Sequence, residues 1–257
     1  MTTNGRPLVG EHSFDATYYQ HYCGKKPYTR SEEWLALFGR FADRIASDIR
    51  PRRVLDAGCA MGFLVEALRD RGIEAFGVDL SSYAIANAHE SVQAFCRQGS
   101  LTEELTEHYD LIVTIEVLEH IPRHDAERAI ENICAHTGDV LFSSTPFNYQ
   151  EATHVNVHPP DYWVEQFARH GFFRDVDFDA SFLTSWAIRF RKRSDPVHRI
   201  VRDYERRYWE VAVERDELRA QNIALQEQLA GPSAPRGGLA RLRRVAGRTW
   251  RRLTGGS

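Results

Sequence analysis

Val54-Leu55-Asp56-Ala57-Gly58-Cys59-Ala60-Met61-Gly62, answered by Gly77-Val78-Asp79-Leu80, decides how this chain folds. An apolar run ends in an acid and a glycine turn, a helical stretch follows, and a second apolar run ends in another acid. This is how an α/β sheet holds an adenosine: glycines let backbone approach the ligand, and the second acid takes the ribose hydroxyls. A dinucleotide site wants glycines at the first, third and sixth turn positions. Those positions hold Gly58, Ala60 and Phe63, so only the first matches. A pyrophosphate would meet a bulky ring at the helix entry. S-adenosylmethionine has no phosphates to cradle and tolerates this turn, so it is the cofactor the residues favour.

Outward from that core, apolar periodicity predicts strands at 53–57, 74–79, 94–98, 110–115 and 139–144. Helices are predicted at 63–71, 82–91, 124–136 and 160–170. Alternating strands and helices imply a doubly wound α/β fold with a mostly parallel sheet. Segments Phe173–Phe178 and Ser185–Arg191 have no helix between them and should pair as a hairpin. That gives seven strands, the last antiparallel. Upstream, a helix from Glu32 to Ile49 ends at Pro51, and residues 1 to 30 concentrate Phe14, Tyr18, Tyr19, Tyr22 and Tyr28. Tyr18, Tyr19 and Arg30 could close over the cofactor carboxylate, so residues 1–50 read as a lid on a cofactor-binding domain spanning 51–193. Trp163, Phe167 and Phe172 are expected in the core, and Phe147, Tyr149 and Tyr162 along an acceptor pocket.

Residues 195–230 read as a long polar helix. With Val201 as position a, the a and d sites are Val201, Tyr204, Tyr208, Val211, Arg215, Leu218, Asn222, Leu225 and Leu229. A mostly apolar heptad with one Asn at an a site is a coiled-coil signature, which predicts a homodimer or docking to a partner. The last segment, 231–257, carries seven arginines and no acid from Arg236 onward, although the whole chain of 257 residues has a net charge of −3. Such a tail could lie on an anionic membrane or touch an acidic partner. Four cysteines without paired spacing, and no signal peptide or membrane-length apolar run, predict a cytoplasmic protein, with the tail allowing contact at the inner membrane face.

These strands, turns and the antiparallel seventh strand resemble the class I, Rossmann-like S-adenosylmethionine-dependent methyltransferases, over roughly residues 50 to 192. The likeness is to the branch with Leu-Glu-His after the fourth strand, here Leu118-Glu119-His120, which includes many small-molecule and sugar O-methyltransferases. The resemblance implies that Asp56 meets the cofactor's amino group and that Gly58, Cys59 and Gly62 pass its methionyl part. Asp79 would bind the ribose diol and Leu80 would flank the adenine. Gly99, Ser100 and Leu101 fall where the family reads the adenine amino group, and Glu116 would lie beneath the methionyl moiety. Ala60 replaces the family's middle glycine, and Ser100 replaces an acid common after the third strand.

Transfer to a hydroxyl needs positioning and a proton acceptor or an acidifying metal. The candidates are Glu119, His120, His154 and His158. Glu116-Val117-Leu118-Glu119-His120 followed by His154 also resembles the metal site of small-RNA 2′-O-methyltransferases, implying Mg²⁺ or Mn²⁺ on Glu116, Glu119, His120 and His154. Plain alternatives stand beside these: turn glycines, helix-capping acids and loop-ordering histidines. The first expectation is O-methylation of a small molecule or glycan, for example a hydroxyl in polysaccharide biosynthesis. The alternatives are a metal-dependent small-RNA 2′-O-methyltransferase and a non-catalytic coiled-coil scaffold with a vestigial cofactor site. Glu103, Glu104, Glu107, Glu151 and Asp161, expected near the site mouth, would repel a phosphate backbone and disfavour nucleic acid.

Overall fold

The computed structural model describes residues 2–3, 6–7, 9–24, 26–147 and 149–229; the arginine-rich tail lies outside the described residues. The chain divides into two units, residues 1–201 and 202–257.

The main sheet of the first unit has seven strands: β1 Arg53–Ala57, β2 Glu74–Asp79, β3 Cys96–Gln98, β4 Leu111–Ile115, β5 Asp139–Ser143, β6 Phe172–Arg174 and β7 Ile188–Lys192. Their order is β3-β2-β1-β4-β5-β7-β6. Strands β1 to β5 run parallel, and β7 is antiparallel to both β5 and β6. The side-chain period of two distributes the central strands between two cores. Val54, Leu111, Val113 and Leu141 face one side; Leu55, Ile112, Val140 and Phe142 face the other.

On the first side pack α2 (Glu32–Arg44), through Phe41 and Ala42, and α3 (Phe63–Arg69), through Leu64 and Leu68. On the second pack α6 (Arg123–His136) and α7 (Pro160–Ala168), carrying Ile130, Ile133, Trp163 and Phe167. Phe167 stacks on Phe190 of β7 with centroids 4.3 Å apart. Trp163, Phe167 and Phe172 are thus core, as expected. A short helix α1 (Ala16–His21), capped by Asp15, precedes α2.

Three local expectations shift. The helix foreseen at 82–91 is two pieces, α4 (Ser82–Ala86) and α5 (Glu90–Gln93). Asn87 turns its amide back to the Tyr83 carbonyl, and His89 caps the second piece through Ser91. Strand β3 begins two residues late because the Phe95 amide closes the preceding turn on Val92. Strands β6 and β7 pair, but not as a tight hairpin. Residues 175–187 intervene, and Phe178, Phe182 and Leu183 pack back on the first core.

The helix α8 (Val197–Leu229) is 33 residues long and carries ion pairs such as Arg206–Glu210 at 2.9 Å. Among the described residues, no helix is long and apolar enough to cross a membrane.

Candidate active site

The parallel strands place Asp56, Asp79 and the residues after Ile115 along one edge, as alternating strand–helix order requires. The turn after β1 takes the left-handed region three times, at Gly58 (φ +92°), Ala60 (φ +46°) and Gly62 (φ +75°). Gly58 is obligatory there: a Cβ would come within 2.3 Å of the Val117 Cγ2. The amides of Gly58 and Cys59 donate to the Val78 carbonyl at 2.8 and 3.1 Å, anchoring the turn to β2. Ala60 is a non-glycine in strained backbone, at a cost of about 1–2 kcal/mol. Its amide donates to Asp79 Oδ2 at 2.8 Å, which offsets that cost. Asp79 Oδ1 accepts from the Ser81 amide at 2.8 Å, so the second carboxylate is fixed in direction from both sides.

Asp56 differs. It is buried and accepts no hydrogen bond among the described residues. Burial first, and then the Asp79 charge, push its carboxyl up to about 8. Asp79 is also raised by burial, against the lowering effect of its two amide donors. A buried, unpaired carboxylate is a costly feature that a cation would relieve.

Both acids open into a cavity of about 570 Å³, within the usual range for a small-molecule site. Gly58, Cys59, Ala60, Leu80, Gly99, Ser100 and Leu101 line it, with Glu116. Gly62 is not in the lining; it caps α3 and lies against Cys96 instead. Six carboxylates face this space, Asp56, Asp79, Glu116, Glu119, Asp125 and Glu151, and no lysine or arginine does among the described residues. That lining suits a sulfonium carrying an ammonium group and opposes a pyrophosphate. The lining therefore fits S-adenosylmethionine: Asp56 would accept from its ammonium and Asp79 from the ribose hydroxyls, with residues 99–101 beside the base.

At the other end, the loop carrying Glu119 and His120 meets the loop carrying Glu151 and His154. The Glu119 carbonyl accepts the amides of Val155 and Asn156, both at 2.9 Å, which brings the loops together. Glu119 is fully buried, with Oε1 accepting the Thr145 amide and Oε2 unpartnered. Burial, then the Glu116 charge, raise it well above the ordinary glutamate range. His120 lies 4.6 Å from the His154 ring, centroid to centroid, with Nδ1 3.3 Å from the Thr153 carbonyl. Burial and then His154 hold His120 down at about 3, so it stays neutral. His154 Nε2 sits 3.1 Å from Glu151 Oε2. Phe14 and Tyr18 of the N-terminal segment pack edge-on against His120, and the Ser81 hydroxyl ties that segment down through the Phe14 carbonyl at 2.6 Å.

Glu119, His120 and His154 can each offer one ligand atom within 4.8 Å of the others. Glu116 does not join them. Its Oε1 accepts the Trp186 indole N–H at 3.0 Å, from a backbone at φ +54°. His158 is also displaced from its expected role: Nε2 engages Asn156 and the ring stacks on Tyr162 at 3.7 Å, away from the cavity lining.

Arg30, expected over the cofactor, is held by Glu66 at 2.5 Å on another face. Phe147 and Tyr149 are exposed and Tyr162 packs under His158, so none lines the cavity. Of the acids expected at the mouth, only Glu151 lines the cavity; Glu107, for one, pairs with Arg53. One contributor escaped the sequence reading: Trp186 comes from the β6–β7 connection and gives no local pattern. Glu151 was expected at the mouth, but its pairing with His154 shows only once the loop is folded.

Comparison with known proteins agrees with this geometry. A family model described as a methyltransferase domain matches residues 28–178. The chain is 35% identical over 102 residues to the ubiquinone biosynthesis O-methyltransferase of Pseudomonas putida (strain F1), covering 36% of this chain and 44% of that protein. The chain thus spans less than half the length of the curated relatives it matches. Among solved structures, the PH0226 protein of Pyrococcus horikoshii OT3 superposes with a TM-score of 0.55 at 17% identity, over 69% of this chain and 99% of that one. The magnesium protoporphyrin IX methyltransferase of Synechocystis PCC 6803, with bound S-adenosylhomocysteine, gives 0.50 at 15% identity, over 71% and 98%. With the acid-tipped strands, the glycine turn and the antiparallel seventh strand in place, the chain belongs to the methyltransferase domain family and has the class I S-adenosylmethionine-dependent fold.

Proposed function

We propose that this chain transfers a methyl group from S-adenosylmethionine to a hydroxyl oxygen of a small molecule or glycan. The observation that carries the reading is the juxtaposition, in one acidic cavity, of a cation-seeking Asp56 and two neighbouring histidines, His154 buried and His120 half-buried. Bound S-adenosylmethionine supplies an electrophilic methyl carbon already activated by its sulfonium. The residues supply position, which is worth on the order of 7–11 kcal/mol when an acceptor is held at near-attack distance. His154, backed by Glu151, takes the proton lost by the acceptor hydroxyl. His120 and Glu119 orient that hydroxyl, and Phe14 and Tyr18, packed on His120, exclude water. The acid-only lining favours a neutral or cationic acceptor over an RNA backbone. The O-methyltransferase among the curated relatives supports oxygen as the acceptor atom.

A second reading rests on the three-residue cluster. One carboxylate and two imidazoles, with the Glu119 Oε2 unpartnered, suit a divalent ion such as Mn²⁺, which would polarise the acceptor hydroxyl. Two measurements separate the possibilities. Release of S-adenosylhomocysteine is followed across nucleotide sugars, glycans, phenols and small RNAs, with and without a chelator. Calorimetry with S-adenosylhomocysteine tests the scaffold alternative, which absence of binding would favour.

A further inference from the structure

We propose that α8 pairs with α8 of a second copy of this chain as a parallel, in-register two-stranded coiled coil. In the single chain, Val201, Tyr208, Val211, Leu218, Leu225 and Leu229 are between 47% and 87% exposed. All six fall at a or d positions of one unbroken heptad inside the helix Val197–Leu229. The seam from Val201 to Leu229 spans four heptads, about 43 Å of helix, enough repeats for a stable coil. A helix of this length with a bare apolar seam is an unfinished structure, because its stability should come from a packed face.

Polar residues choose the occupant. Position a of the fourth heptad is Asn222, exposed in the single chain. In a parallel pair, two Asn222 side chains meet and hydrogen-bond, which fixes register. In every antiparallel arrangement Asn222 would face a d residue, Tyr204, Val211, Leu218 or Leu225, and lose that partner. The flanks agree. Glu214 at g reaches Arg219 at e of the second copy, and Arg215 at a lies beside the second copy's Glu214. A lipid surface fits poorly, because α8 carries six arginines against seven acids, whereas membrane-lying helices are rich in basic residues.

The test uses the full chain. Sedimentation equilibrium at about 10 μM should give twice the 29.5 kDa monomer mass. Leu218→Asp combined with Leu225→Asp should weaken self-association at least about 100-fold, or about 2.7 kcal/mol. Melting of the first unit and S-adenosylhomocysteine binding should stay unchanged in that variant, which shows that the fold is intact. Asn222→Cys should form an interchain disulfide on mild oxidation, since identical parallel positions face each other. A monomeric full chain, with or without capture by anionic vesicles, would overturn the proposal. So would a dimer indifferent to the double substitution, or one in which Asn222→Cys fails to link.

Discussion

Replacing Asp56 by Asn should stabilise the ligand-free protein near neutral pH while crippling its cofactor site. In the native state the Asp56 carboxyl is pushed up to about 8 by burial and by Asp79, whereas an unfolded aspartate ionises near 3.9. Between those values the native state holds a proton that the unfolded state has released. Asp56 therefore contributes least penalty below pH 4, and stability falls as pH rises toward 8. The slope is about 1.36 kcal/mol per pH unit, so roughly 3 kcal/mol disappears between pH 5 and pH 7. Glu119 adds a loss of the same sign, and the depressed His120 adds one of opposite sign below its unfolded value. The difference between wild type and Asp56→Asn isolates Asp56 from both. At about 2–4 °C per kcal/mol, the gap between the two melting temperatures should widen by about 6–12 °C from pH 5 to pH 7. Calorimetry in buffers of differing ionisation enthalpy supplies the functional half. Binding of S-adenosylhomocysteine, which carries an ammonium group, should expel a proton from wild type at pH 7. The Asn variant should expel none and bind more weakly. A constant gap across pH, or equal proton release by both proteins, would refute the assignment.

Asp79→Ala should raise the dissociation constant for S-adenosylhomocysteine about 100-fold, since hydrogen bonds to a charged group are worth about 1.5–3 kcal/mol each; unchanged affinity in calorimetry would remove the ribose assignment. His154→Gln should leave that affinity intact and lower kcat by about 10²–10⁴, measured once an acceptor is found. Gly58→Ala should cost about 2–4 kcal/mol in thermal melts, from strained φ and the overlap with Val117. A chelator should leave turnover unchanged if imidazole alone accepts the proton; loss restored by Mn²⁺ would favour the three-residue metal reading.

The sheet was legible because its signals are local. Each central strand is a short apolar run bounded by turn residues, and Asp56, Gly58 and Asp79 sit at ends that the chain order already defines. The antiparallel seventh strand was legible as well, because two β-like runs lack a helix between them. What stayed hidden depends on tertiary contact. His154 and His158 are equivalent in sequence, yet only the first stays at the cavity, because the Glu119 carbonyl grips the amides of Val155 and Asn156. His158 is carried past to Tyr162. Glu116 has the spacing of a metal ligand, but Trp186, seventy residues away, takes its carboxylate. Arg30 was misplaced for the same reason: Glu66 on α3 is its partner.

The six carboxylates of the cavity do not act as six equal charges, and their differences explain how such a site can fold before its ligand arrives. Asp79 receives two amide donors, so part of the cost of burying it is met by backbone. Glu119 accepts the Thr145 amide, and burial with a neighbouring acid raises its carboxyl well above the ordinary glutamate range. Glu151 has an imidazole beside it, and Glu116 an indole N–H. Asp56 is the fully buried one that receives no hydrogen bond among the described residues, and it sits where a ligand ammonium is expected. On the proposed reading, a neutral Asp56 would let the empty protein fold at modest cost, and its ionisation on binding would supply the opposite charge only when the cation is present. Cofactor affinity would then depend on the difference between two protonation states rather than on a permanently charged pocket. The acid-rich lining would thereby disfavour phosphate-bearing ligands in both states, because among the described residues no lysine or arginine lines it.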